Sequence, residues 1–123
     1  LKPRSSVSGD RKYYEMTAFN PDAGAFKIKN ITLVFEEGLL IEIWVSVEGK
    51  QESENLLASL IKAYGQPTNT WGKEGWMGKK VELSIRSDWD GGSTASFSSI
   101  ETKSKVEQMR KDRAKEKAGE ANL

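Results

Sequence analysis

The sequence predicts an α+β fold: a single antiparallel sheet of about five to six strands, one amphipathic helix packed on one face, and a charged C-terminal helix. Three observations carry this. Leu39 to Val47 alternates, with Ile41, Ile43, Val45 and Val47 on one side and Glu42, Trp44 and Ser46 on the other, the pattern of a half-buried strand. Leu56, Leu57, Leu60, Ile61 and Tyr64 recur as one stripe at 3.6 residues per turn. Val81, Leu83 and Ile85 alternate with Glu82, Ser84 and Arg86 ahead of Asp90-Gly91-Gly92, a hairpin signal.

Residues 1–10 hold Pro3, Gly9 and little that is apolar, a composition that does not repay its ordering entropy, and are expected to form a flexible N-terminal segment. Residues 11–100 form the single α+β domain. Arg11 to Phe19 is a first strand, ended by the turn-forming cluster Asn20-Pro21-Asp22-Ala23-Gly24. From Phe26 to Phe35 the apolar set changes parity: Phe26 and Ile28 are even, while Ile31, Leu33 and Phe35 are odd. A bulge near Lys29 and Asn30 would reconcile the halves, because one extra residue flips every later side chain. Glu37-Gly38 is a tight turn into the Leu39 strand. Glu52 and Glu54 suit the positive end of the helix dipole, Gly65 closes the helix and Pro67 forbids its continuation. Trp71, Gly72, Gly75 and Gly78 make a glycine-punctuated connector. Thr94 to Ile100 is a final strand with a wet outer face. Residues 101–123 form a charged helical tail, with Val106, Met109 and Ala114 its only apolar positions up to Lys117 and Glu101–Lys105 and Glu107–Lys111 at supportive spacing.

Composition narrows the function classes. The 123 residues carry 19 basic and 18 acidic side chains, a net charge of +1, so the whole chain has no general attraction for polyanions. Hydrophobic residues make up 37% and charged ones 30%, the balance of a polar globular domain. Histidine and cysteine are both absent, which excludes Ser-His, Cys-His and His- or thiolate-based metal chemistry within the numbered chain. No apolar run reaches the roughly 18 residues of a membrane-spanning helix. The chain opens on Leu1 with no charged-then-apolar segment, and is expected to be a processed or trimmed piece of a longer precursor.

Each candidate motif meets a plainer explanation. Glu36 with Glu37, and Asp88 with Asp90, are the acidic pairs an enzyme would use, and both sit beside turn glycines. Asp88-Trp89-Asp90-Gly91 opens like a calcium loop but has Gly92 at the fifth position and Ser99 at the twelfth, where carboxyl-type ligands are needed. Gly72, Gly75, Gly78, Lys79 and Lys80 suggest a phosphate loop, yet Lys73 breaks its spacing and Lys80 replaces its Ser or Thr. Asn30-Ile31-Thr32 matches a glycosylation acceptor inside a predicted strand. The seven basic residues from Lys103 to Lys117 are interleaved with Glu107, Asp112 and Glu116, which argues against nucleic acid. Four tryptophans remain: Trp44 on the polar parity of its strand, Trp71, and Trp76 and Trp89 beside glycines in loops. Such rings anchor binding interfaces or cover a sheet face.

The order Phe35-x-x-Gly38-Leu39-Leu40, then a helix with Leu56, Leu57 and Leu60, then Tyr64-Gly65-Gln66-Pro67 and Trp71 resembles small exported bacterial domains, periplasmic or lipoprotein-like and of uncharacterised activity. The resemblance covers about Ala25 to Ile100. It implies an antiparallel sheet with a helix against it and a location in the cell envelope or periplasm, with no catalytic residue. The resulting expectation is a non-enzymatic binding or structural module of the envelope, meeting a protein or envelope partner through Trp44, Trp76 and Trp89, without cofactor or metal. Its alternatives are a nucleic-acid-associated protein acting through Lys103 to Lys117, and a carboxylate-based enzyme, and the alternative location is the cytoplasm.

Overall fold

The structure, a computed structural model, describes residues 2–3, 11–70 and 73–121. It contains, in chain order, β1 (Lys2–Pro3), β2 (Arg11–Glu15), β3 (Asn30–Glu36), β4 (Leu39–Val47), α1 (Lys50–Tyr64), β5 (Thr68–Thr70), β6 (Lys73–Met77), β7 (Val81–Ser87), β8 (Ser93–Ser99) and α2 (Ile100–Ala121). The strands form one sheet in the order β1-β2-β3-β4-β8-β7-β6-β5, every pairing antiparallel. Six strands have five residues or more, as expected, and the short β1 and β5 lie at the edges. The chain walks inward from β1 to β4, crosses on α1 to the far edge, and walks back from β5 to meet β4 at β8. The α+β class is therefore as the sequence predicts.

The two helices lie on opposite faces of the sheet. Leu56 and Leu60 of α1 are buried with Val47, Leu83, Ile85 and Ala95. Their burial contributes roughly 1.5 to 3 kcal/mol each before entropy is counted. Glu52, in the first turn, accepts the Lys27 backbone N–H at 2.7 Å and ties the preceding loop to the helix. The helix closes where the Gly65 N–H donates to the Ile61 carbonyl at 2.8 Å, with φ near +87° at the glycine. Tyr64, expected in the buried stripe, is 59% exposed. On the other face Val106 of α2, 3% exposed, is buried with Val34 and Ile41, and Tyr13, Leu39 and Trp44 lie against them.

Several local expectations change. Phe26 to Ile28 is a loop rather than a strand, and the register break falls further on: Val34 pairs with Glu42 but Phe35 with Leu40, leaving Ile41 as the extra residue. The bulge turns Ile41 away from Ile43, Val45 and Val47 and onto the α2 face. The even positions Thr32, Val34 and Glu36 of β3 are buried in turn, while Ile31, Leu33 and Phe35 are only half-buried. Glu37 and Gly38 both have positive φ, the signature of a type I′ hairpin turn. Gly75 and Gly78 sit in and beside β6, a strand absent from the sequence reading; Trp71 and Gly72 lie outside the described residues. The helix expected to stand as a tail is docked through its first half. The flexible segment expected over 1–10 lies, apart from the short β1, outside the described residues.

Candidate functional site

The three tryptophans singled out as binding residues come to three separate places. Trp44 projects from the centre of β4 on the α2 face. Its ring stands 5.5 Å from that of Tyr13, and the Arg86 guanidinium sits 5.8 Å from its centroid. Its Nε1–H points at a Glu42 carboxylate oxygen 3.4 Å away, which also accepts the hydroxyls of Ser96 at 2.9 Å and Ser98 at 3.3 Å. The other Glu42 oxygen faces Arg11 at 3.7 Å and Lys103 at 3.8 Å. Burial pushes the Glu42 carboxyl up, but Ser96, Lys103, Trp44 and Arg11 together outweigh it and hold the group below its ordinary value. A cleft of about 240 Å³ remains beside Trp44, Ser84 and Glu82, and Glu42 and Trp44, the centre of its lining, are already taken up by neighbours.

Trp89 stands at the tip of the β7–β8 hairpin and is 99% exposed. Beneath it, Asp90 accepts the Gly92 backbone N–H at 3.0 Å and faces Lys29 at 3.4 Å, and this backbone hydrogen bond, with help from Lys29, holds its carboxyl below the usual range despite some burial. Asp88 accepts the Thr94 hydroxyl at 2.9 Å. The would-be calcium loop is thus a closed turn in which both carboxylates serve local partners. Among the described residues, no cluster of three potential metal-ligating side chains forms.

Trp76 lies on β6, on the α1 face of the sheet, and its Nε1–H donates to the Gly65 carbonyl at 2.8 Å. That bond links the end of α1 to the far strands and holds the ring against Leu83 and Phe97. A groove of about 650 Å³ opens here, from the C-terminal end of α1 to the β6–β7 turn. Besides Trp76, Leu83 and Phe97 it is lined by Tyr64, Met77 and Val81, which are 59%, 72% and 45% exposed. Gly75 and Gly78 admit close backbone approach: a Cβ at Gly78 would stand 2.9 Å from the Val81 carbonyl, and one at Gly75 3.3 Å from that of Leu83. Close approach accounts for Gly75 and Gly78 of the glycines that suggested a phosphate loop; Gly72 lies outside the described residues. Sequence reading found Trp76 but missed Tyr64, Met77 and Val81 as its companions; the only signal was apolar residues bracketing Gly78-Lys79-Lys80.

The remaining charged candidates are largely paired. Glu36 binds Arg110 and lies 3.6 Å from Arg11, while Glu37 receives Arg113, whose hydrogen bonds hold its carboxyl below its ordinary value against a smaller effect of burial. Of the basic residues on α2, Lys103, Arg110 and Arg113 face carboxylates of the sheet and its β3–β4 turn, and Lys105 and Lys111 each lie 3.6 Å from a glutamate one turn earlier. Among the described residues no helix is long and apolar enough to cross a membrane. Compared with family models, curated proteins and solved structures, the chain matches none.

Proposed function

We propose that the protein is a non-enzymatic binding module that takes its partner in the groove around Trp76, and that it serves the bacterial cell envelope, as the resemblance implies. One observation carries the site: Tyr64, Met77 and Val81, three of the six exposed large apolar residues among those described, line one concavity instead of being scattered. A concave, mostly apolar site with a few polar groups is the usual form of a small-ligand site, and its volume lies within the roughly 300 to 1,000 Å³ of such pockets. Trp44 supports the reading less well, since its polar edge and one ring face are already occupied. The nucleic-acid alternative is weakened by the carboxylates that face Lys103, Arg110 and Arg113.

The test is titration with N-phenyl-1-naphthylamine, a neutral apolar dye that brightens on leaving water. Saturable one-to-one binding is expected, lost in Val81→Asp and kept in Trp44→Phe. Absence of saturation, or equal binding by Val81→Asp, removes the proposal. Fractionation of cells expressing the full-length gene product tests the location, and recovery in the cytoplasm alone removes that part.

A further inference from the structure

We infer that the groove's ligand is a single-chain anionic amphiphile of the fatty-carboxylate kind, its aliphatic chain along Trp76, Leu83 and Phe97 and its acidic head at Lys79 and Lys80. The inference rests on the groove being the binding site and adds what fills it. Charge is the first argument. Lys79 and Lys80 form the turn between Gly78 and Val81, both of which line the groove, and both lysines are exposed. Neither has an ion-pair partner among the described residues, and none of the described residues that line the groove is acidic. Lys12, Lys27, Lys50, Lys62, Lys115 and Lys117 likewise stand outside the ion pairs among the described residues, so position distinguishes this pair: the two are adjacent, in the turn that joins two residues lining the groove.

Direction is the second argument. The other end of the groove lies at Tyr64 and Gln66, where α1 ends and presents the negative pole of its dipole. An acidic head is repelled there and attracted at the lysine turn. Among the described residues that line it between its two ends, Gln66 and Thr68 are the polar side chains besides the Tyr64 hydroxyl, few for a ligand polar through its length. Size is the third: the groove suits one chain, whereas a stable protein partner buries about 800 Å² on each side.

The experiment follows the indole N–H cross-peaks of the whole ¹⁵N-labelled protein, assigned with Trp→Phe variants, during titration with dodecanoate below its aggregation threshold. Trp76 should shift saturably while Trp44, on the other face, and Trp89, at the hairpin tip, stay in place as reporters of an intact fold. Dodecyltrimethylammonium, with the same chain and the opposite charge, should bind more weakly. The double variant Lys79→Glu/Lys80→Glu should lose roughly tenfold in dodecanoate affinity and reverse the preference, with Lys79→Gln/Lys80→Gln in between. Equal response to both amphiphiles, or no effect of charge reversal, overturns the anionic ligand while leaving the groove as a site. Response to vesicles of anionic lipid without response to dodecanoate also overturns it, in favour of a membrane surface. If neither amphiphile, nor the neutral dye, nor the vesicles move Trp76, the groove reading falls with it.

Discussion

Across the pairing of β4 with β8, the Ser96 hydroxyl donates to a Glu42 carboxylate oxygen at 2.9 Å, and Ser98 reaches the same oxygen at 3.3 Å. Glu42 is thereby the hub of the α2 face, since Lys103 of α2 and Arg11 of β2 close on its other oxygen. Its carboxyl titrates below the ordinary glutamate value, so ionised Glu42 favours the folded state. That contribution is fully present above the unfolded value of about 4.3 and is lost as pH falls through the depressed folded value. Glu37 and Asp90, also held low, act with the same sign. Urea midpoints should therefore drop on acidification through this range. Glu42→Gln should lose about 1 to 3 kcal/mol at neutral pH, because an amide N–H then confronts donors and two cations lose their counter-charge, and its pH slope should be shallower. An unchanged slope would show that the acid sensitivity lies elsewhere.

The docking of α2 depends on little apolar surface. Val106 is its one buried hydrophobic residue among those described, and the rest of the contact is ionic: Lys103 to Glu42, Arg110 to Glu36 and Arg113 to Glu37. Amide exchange should show protection from Ile100 to about Arg113 and little beyond. Val106→Ala should cost roughly 2 kcal/mol and shorten the protected stretch. At about 1 M salt, where screening acts within roughly 3 Å, protection of the same turns should fall even in the unmutated protein. Uniform protection to the last turn would contradict this account.

What the sequence disclosed, and what it withheld, follows from the range of the interactions. Leu39 to Val47, the Leu56–Leu60 stripe and the Asp90-Gly91-Gly92 turn were legible because their signals lie within a few residues. The side taken by Ile41 was not, since a bulge is defined by the partner strand and the alternation runs unbroken through it. Docking of α2 was hidden because its buried contacts are one valine and several ion pairs, which read as a solvated helix until Glu36 and Glu42 are brought beneath it. The groove was half-visible. Trp76 announced itself, but Tyr64 comes from a helix end and Val81 from another strand, and only the return of β6 and β7 under α1 joins them.

Two glycines should respond differently to alanine. A Cβ at Gly92 would stand 2.3 Å from the Val47 carbonyl and 3.1 Å from an Asp90 carboxylate oxygen, so β4 or the hairpin must move. Gly65 has open space around its missing Cβ but a backbone near φ +87°, ψ −166°, a region almost reserved for glycine. Gly65→Ala should cost about 1 to 3 kcal/mol and Gly92→Ala more than that. Thermal melts would read these as drops of roughly 4 to 8 °C per kcal/mol. Melting of Gly92→Ala at the temperature of the unmutated protein would show that the hairpin does not approach β4 as described.

Trp76 and Trp89 offer the sharpest contrast between a ring that joins elements and one that does not. The Trp76 N–H bond to the Gly65 carbonyl, 2.8 Å long, connects the end of α1 to β6, and Phe keeps the apolar body while removing that donor. Trp76→Phe should therefore cost about 0.5 to 1.5 kcal/mol in urea denaturation, with the amide exchange of Gly65 and its neighbours accelerated before that of the core strands. Trp89, 99% exposed, touches little that Ser would fail to replace. Trp89→Ser should leave stability within about 0.5 kcal/mol and remove a strongly acrylamide-quenched part of the emission, leaving the shielded contribution of Trp44. A Trp89→Ser variant markedly less stable than Trp76→Phe would mean that the hairpin tip is held against a surface of the protein, and would reverse the roles assigned to the two rings.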